Sequence, residues 1–375
     1  MKIAFLYPKG RLLRLKYLRN GLSPTEYFYG AIELEANGHK VILFDIDPNN
    51  SKSPLQIFVD LLFKMHLLPS RTKGPIIEEI IKIRKKLNEV DIIVATTLGI
   101  SLATATLKTW GLIKPPIIGL FLGLLNYRHS WLRKKINGIV LRRISVQLFG
   151  EGELEGMKKT YNLSSDNILV NQFGVDLNFW YPKGESEDRK YILSVGNDLR
   201  RDYELLFNIA SKIKYPFKIV TARNLGFNIP KNVEFIKGTW PDQDPIDIYL
   251  RELYQNAACV ILPLKDSWQP SGQTVALQAM ACATPVIISK TKGLWSRTIM
   301  RHKENVYLVP VGDADSLQKA IEIMVSDPKE RIRIGNNGLE TVKREGDIKA
   351  FASRLEHQCQ RTLAVSNKRY FPVAI

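Results

Sequence analysis

The sequence predicts an α/β protein of two doubly wound domains facing a central cleft, and three observations support that class. Short β-branched and aromatic runs alternate with helix-length amphipathic segments from end to end, the pattern of parallel βαβ units. The alternation pauses over residues 176–190 (DLNFWYPKGESEDRK), where Pro, Gly and charges replace the apolar pattern, and restarts at Tyr191. At 375 residues the chain also exceeds what one core usually organises.

In the first half, strands are expected over residues 2–7, 41–45, 91–95, 117–122, 146–149 and 168–171. The first helix opens with Ser23 as N-cap, Pro24 at the first helical position and Glu26 completing a capping box, and Gly38 stops it. A long loop, residues 8–22, separates it from the first strand. The second half offers strands over 191–195, 217–221, 233–236, 259–262, 286–289 and 306–309, with helices between and two or three after them. The domains are therefore 1–180 and 181–375, with the last helix a candidate to pack back on the first domain. No solenoid repeat or low-complexity tract interrupts this order.

Composition excludes several function classes. Apolar residues make up 45% and charged residues 24%, close to ordinary globular usage and far from disorder. The three Cys form no CxxC pair, which fits a reducing compartment without structural zinc. The start, MKIAFLY, lacks the features of a signal peptide, and the apolar stretch 55–68 (LQIFVDLLFKMHLL) is too short to span a bilayer. The expected location is cytoplasmic, with peripheral contact at the inner face of a membrane as a further expectation.

In open α/β sheets the ligand sits beyond the carboxyl ends of the strands, where loops lead into helix N-termini. The strongest candidate is QPSGQTVALQAMACATPVII, Gln269 to Ile288, with Ser271-Gly272-Gln273 where a helix begins. Free backbone N–H groups there attract phosphate, and Gly272 permits close approach. The run Val195-Gly196-Asn197-Asp198-Leu199-Arg200-Arg201-Asp202-Tyr203 follows the first strand of the same half and should open on the same sheet edge. Its guanidinium groups would face an anion held by the Ser-Gly-Gln turn, which suits a diphosphate.

Here the chain resembles a family 4 type glycosyltransferase of GT-B architecture, two doubly wound Rossmann-like domains facing a central cleft. Leu193 to Tyr203 is similar to the SxGRDxxRDY variant of these enzymes, and SGQTVALQAMACATPVI to their glycine loop, glutamate helix and G-x-P-V strand. Residues 172–182 resemble the segment that closes the first domain, and SPTEYFYGAIELEANGHKV, Ser23 to Val41, the first helix and second strand.

The resemblance implies a C-terminal domain that binds a nucleotide sugar and an N-terminal domain that binds the acceptor. Arg201 would meet the donor diphosphate and act in catalysis. Ser271, Gly272, Gln273 and Thr274 would supply phosphate contacts, and Gln278 would hold the ribose hydroxyls. Ser23 and Glu26 are candidates on the acceptor side. Asn197 is also expected at the donor site. Three departures stand out: Gln278 replaces a glutamate, Asn197 stands where a second phosphate-binding arginine is usual, and Ser23-Pro24 replaces a glycine pair. The expected reaction moves a hexosyl group from a UDP- or GDP-sugar to a glycan, lipid-linked or small-molecule acceptor with retention, without cofactor or metal.

Two motifs are set aside. Gly150 to Gly156 (GEGELEG) mimics a dinucleotide fingerprint, but three glutamates would repel pyrophosphate, and an acidic helix start fits better. Asp45-Ile46-Asp47 has DxD spacing, but it ends a strand where metal dependence is not expected. His129, among Arg128, Trp131, Arg133, Lys134 and Lys135, reads as basic surface rather than as a base.

The 54 Lys and Arg against 37 Asp and Glu give +17. Residues 1–180 hold 25 against 15, so +10 of the excess lies in the first half. Basic and bulky apolar residues share the 8–22 loop, which suits an anionic membrane surface, and stretches 55–68 and 128–135 could extend that face. Nucleic acid is a weaker partner, supported by charge alone. Rival readings are a non-catalytic protein of the same fold, or a basic membrane- or nucleic-acid-binding protein without sugar chemistry.

Overall fold

The computed structural model describes residues 1–49, 51–184, 189–226, 229–238 and 247–370, with side chains to 366. It divides into two compact units, residues 1–15, 27–172 and 351–375 in one, and 16–26 with 173–350 in the other. The expected boundary stretch 176–190 lies in the second unit, and its residues 185–188 fall outside the described residues.

The first unit is a six-stranded parallel sheet with strands β1 (Lys2–Pro8), β2 (Lys40–Ile46), β3 (Ile92–Ala95), β4 (Ile117–Phe121), β5 (Ser145–Leu148) and β6 (Ile168–Val170), in the order β2-β1-β3-β4-β5-β6. Its central strands are buried on both faces, as parallel strands covered by crossover helices must be. Its helices are α2 (Ala31–Ala36), α3 (Pro54–Lys64), α4 (Gly74–Leu87), α5 (Leu98–Thr109), α6 (Trp131–Leu141) and α7 (Leu154–Tyr161), and the short helix α1 (Arg14–Arg19) has residues in both units. Ser53, Thr97 and Ser130 start α3, α5 and α6 by accepting a backbone N–H three residues on.

The second unit repeats the plan with β7 (Tyr191–Val195), β8 (Phe217–Thr221), β9 (Val233–Lys237), β10 (Ala257–Leu262), β11 (Val286–Ser289) and β12 (Tyr307–Val309), in the order β12-β11-β10-β7-β8-β9. Its helices are α8 (Tyr203–Ala210), α9 (Asp247–Asn256), α10 (Gln273–Ala281), α11 (Ala314–Ser326) and α12 (Pro328–Glu345). The chain starts in the centre at β7, runs outward to β9, then returns to β10 on the other side of β7. Between β7 and β10 the strand order reverses, the place where sheets of this kind bind ligands. The last helix, α13 (Ile348–Tyr370), joins the first unit from Phe351 onward. Arg354 bonds Asn171 Oδ1 and the Gln172 carbonyl, and Gln358 donates to Ser145 Oγ.

Two local expectations are corrected. The 8–22 segment contains α1 and is pinned at its start, where the Asp45 carboxylate accepts the N–H groups of Gly10 and Leu12. Arg14 is buried with its guanidinium 4.1 Å from the Tyr27 ring centre, and Arg11 lies over Tyr27 and Tyr29. These arginines are therefore engaged with the protein. The Ser23–Glu26 capping box does not form either. A 3₁₀ turn spans Thr25–Phe28, Tyr29 and Gly30 take positive φ of 52° and 83°, and α2 starts only at Ala31. Gly38, at φ 87°, does end that helix.

Glu26 turns inward, fully buried. Its Oε1 accepts from Trp180 Nε1 at 2.7 Å and from Gln278 Nε2 at 2.9 Å, and its Oε2 accepts the Asp176 N–H at 3.0 Å. The Ser23 hydroxyl donates to Asp247 Oδ2 at 2.8 Å. These bonds tie residues 16–26 into the second unit, so Ser23 and Glu26, expected on the acceptor side, belong to the unit that carries the candidate donor residues. Burial raises the Glu26 pKa from 4.5 to about 8, against the lowering effect of the bonds from Gln278, Asp176 and Trp180.

A raised folded-state pKa means that the native state holds a proton the unfolded chain has released. The associated stability is full below pH 4.5 and is lost as pH rises to about 8. Urea unfolding over that window should show wild-type stability falling with pH by up to about 1.4 kcal/mol per unit, the slope of one proton. In Glu26→Gln this component should vanish, whatever constant offset the amide introduces. Identical slopes in the two proteins would remove Glu26 as the titrating group.

Candidate functional site

The loops that follow β7 and β10 meet at the point of strand reversal, and their residues form the site from opposite sides. β7 ends at Val195, and Gly196 turns the chain at φ 148°. Asp202 then caps α8 by accepting the Leu205 N–H at 3.2 Å, which fixes the loop 196–202 at both ends. Arg201 is swung back beneath this loop, only 3% exposed, with Nε donating to the Val195 carbonyl at 3.1 Å. Its backbone bridges Leu264 in the loop after β10.

Glycines make this position possible. A Cβ on Gly196 would lie 2.5 Å from Arg201 Nε, and one on Gly272 would lie 2.9 Å from its Nη1. The guanidinium is therefore held between two residues without side chains, both at positive φ. Its Nη1 is buried and has no hydrogen-bond partner, and neither has the buried Ser271 Oγ. Arg201 also makes no ion pair among the described residues, and burial pushes its pKa below the usual guanidinium value. Gly272, at φ 80°, is the N-cap of α10 and supplies no side-chain cap to that helix start.

An unpaired guanidinium N–H, an unpaired hydroxyl and an uncapped helix start thus converge on one turn. Each is a donor, and together they favour an anion with several acceptor oxygens, such as a phosphate.

The other predicted residues take varied positions. Gln273 is buried and Thr274 half-buried in the first turn of α10. Asn197 is exposed, with Oδ1 accepting from Thr221 Oγ1 at 3.1 Å and the Ala222 N–H at 2.6 Å, so it ties the end of β7 to the end of β8. Gln278 has both amide atoms in use, its Oε1 accepting from Tyr254 at 3.1 Å and its Nε2 donating to Glu26. Sequence patterns gave no sign of Gly196 as a platform for Arg201, of Tyr254, or of Glu26 on the α10 side. The signal for Gly196 was present in its place directly after a strand, where a glycine permits a side chain from beyond the turn to fold back.

The motifs set aside have structural partners. Asp45 holds the 8–22 segment, and Asp47 pairs with Lys9 at 3.0 Å. Glu153 is buried and accepts the Gly123 N–H at 2.8 Å, and burial raises its pKa to about 7. It therefore braces the turn after β4 rather than the start of its own helix. His129 stacks on Tyr127 at 6.1 Å in the first unit.

Known proteins resemble this chain in sequence and in fold. Residues 182–341 match the family model described as glycosyl transferases group 1. The chain is 34% identical over 86 residues to a lipopolysaccharide core biosynthesis glycosyltransferase of Rhizobium meliloti, covering 23% of this chain and 24% of that protein. It is 29% identical over 207 residues to an uncharacterized glycosyltransferase of Methanocaldococcus jannaschii, covering 48% and 51%. The chain thus spans about a quarter and about half of these two relatives. Among solved structures, sucrose-phosphate synthase from Thermosynechococcus elongatus superposes with a TM-score of 0.73 at 19% identity, over 97% of this chain and 100% of that one. Anabaena HepE, solved in complex with UDP, superposes with a TM-score of 0.67 at 16% identity, over 96% and 100%. Residues 182–341 are thus similar in sequence to the group 1 glycosyl transferases, and by its two parallel six-stranded sheets the chain has the GT-B fold.

Proposed function

We propose that the protein is a glycosyltransferase that takes a nucleotide-diphosphate sugar at the Arg201–Gly272 turn and passes its sugar to a glycan or lipid-linked acceptor. One observation carries this reading: Arg201 Nη1 and Ser271 Oγ are buried without partners beside the uncapped start of α10. Burying a guanidinium without a counter-charge is costly, and a bound diphosphate would offset that cost. In the reaction the same donors would stabilise charge developing on the departing diphosphate, so catalysis would rest on positioning and electrostatics. The hexosyl donor, the family 4 assignment and retention rest on the resemblance of 193–203 and 271–287. The geometry bears on the diphosphate.

Asn197 and Gln278 favour a second reading, a donor-binding relative without turnover. Asn197 Oδ1 and both amide atoms of Gln278 are already bonded within the protein, so a ribose would have to share those atoms with Thr221, Ala222, Glu26 or Tyr254. Acceptor-dependent sugar transfer above background hydrolysis, followed by mass spectrometry across UDP- and GDP-sugars, would rule that reading out.

Two substitutions test the donor site. Arg201→Met keeps an unbranched stem of similar bulk and removes the buried charge, so its unfolding midpoint should equal or exceed that of wild type. Donor affinity by calorimetry should fall about tenfold to a hundredfold, the worth of a charge-assisted hydrogen bond of about 1.5–3 kcal/mol. Binding unchanged in this variant would end the assignment. Gly272→Ala places a methyl 2.9 Å from Arg201 Nη1 on a left-handed backbone. It should lose about 1–2 kcal/mol of stability and about tenfold or more in donor affinity as the guanidinium is displaced.

A further inference from the structure

Helix α3 is apolar on two faces. Val59, Leu55 and Leu62 join the core of the first unit. On the opposite face Ile57, Phe58 and Leu61 are 60%, 55% and 53% exposed, and Met65, at the C-cap, continues the line at 56%. The first turn of α6 adds Trp131, 69% exposed, and Leu132. These two surfaces are continuous, because the end of α3 is bound to the start of α6. His66 Nδ1 and Ser130 Oγ are 2.7 Å apart, and the Arg133 guanidinium lies 4.2 Å from the Phe63 ring centre and bonds to the Phe63 carbonyl. A contiguous exposed patch of large apolar side chains marks a surface that something covers.

Charge identifies the cover. Lys64, Arg128, Lys134 and Lys135 are exposed around the patch, and the Lys135 ammonium lies over the Trp131 ring at 4.1 Å. Residues 101–150 contain no Asp or Glu. On the α3 side, the Asp60 carboxylate is taken by the Gly74 N–H at 3.0 Å. Apolar side chains within a ring of unopposed cations complement a layer that is anionic at its surface and apolar beneath it. A two-fold contact between copies of this chain would instead set these cations against themselves.

We propose that the α3–α6 face docks on an anionic lipid bilayer, with Ile57, Phe58, Leu61, Met65 and Trp131 entering the boundary between headgroups and acyl chains. No helix of the described residues is long and apolar enough to cross a membrane, and this contact lies in the plane of the interface. In the 8–22 segment, by contrast, Arg11 and Arg14 are stacked on tyrosines.

Flotation of the full chain with phosphatidylcholine vesicles, with and without phosphatidylglycerol, tests this directly. Wild type should float with the anionic vesicles, and less so at high salt. The triple variant Phe58→Ser, Leu61→Ser, Trp131→Ser should lose flotation. Lys64→Ser, Lys134→Ser, Lys135→Ser should weaken it by about a hundredfold and remove most of the salt dependence. Trp110→Ser, an exposed tryptophan at the end of α5, should change nothing. All these positions are exposed, so thermal melts should match wild type. Absent wild-type flotation, or flotation that survives the apolar triple, overturns the proposal. So does a wild-type dimer in sedimentation that the apolar triple converts to monomer, since the face would then belong to a second copy.

Discussion

Arg201 carries a positive charge into a site 3% exposed, where its bonded neighbour is the Val195 carbonyl and its walls are Gly196 and Gly272. Much of the second unit can be understood from this placement. The guanidinium needs two strand ends close together, which the adjacency of β7 and β10 supplies. It needs a turn without Cβ on either side, and both glycines sit at positive φ. It also needs the start of α10 left uncapped, because a Ser or Asp at the Gly272 position would fill the N–H groups that point the same way. The sheet core beneath is apolar and fully buried, and such a core can hold a charge that is unfavourable in the empty site.

Glu26 and Gln278 show how a substitution can be misjudged in isolation. Along the sequence, Gln278 reads as a lost carboxylate. In the structure a carboxylate is present, but it arrives on Glu26, and the Gln278 amide is its donor at 2.9 Å. A glutamate at 278 would set two carboxylates face to face in a buried site, where one of them would have to stay protonated. The amide removes that repulsion and passes the chain of bonds on to Tyr254. Charge at this site is therefore a property of the pair.

What was legible in the sequence follows from how local each signal is. The twelve strands of the described residues lie within two residues of where the apolar runs place them, and the central ones are clearest because a parallel strand buried on both faces must be a continuous apolar run. Gly38 as a stop and Ser271-Gly272-Gln273 as a helix start are equally local, set by backbone angles that glycine alone adopts easily. The errors concern partners far along the chain. Ser23-Pro24-Thr25-Glu26 satisfies the capping-box pattern, yet Gln278, 252 residues away, competes for Glu26 and wins. Asn197 is expected at the donor site, yet its Oδ1 accepts from Thr221, the last residue of the strand that pairs with β7, and from Ala222 just beyond it. Short-range grammar gives elements and edges. Which polar atoms remain free is decided by tertiary packing.

The same distinction separates the two kinds of positive charge in the chain. Arg201 is buried, glycine-walled and aimed at one turn, so its position is specific and its field acts on whatever fills that turn. Lys64, Arg128, Lys134 and Lys135 are exposed on flexible stems, and each is worth little as a point contact because water and salt screen it. Their collective effect depends on a partner that is itself extended and anionic, and on the apolar side chains between them. A net charge of +17 is the sum of these unlike parts, and only their surroundings separate a buried, directed charge from exposed, screened ones.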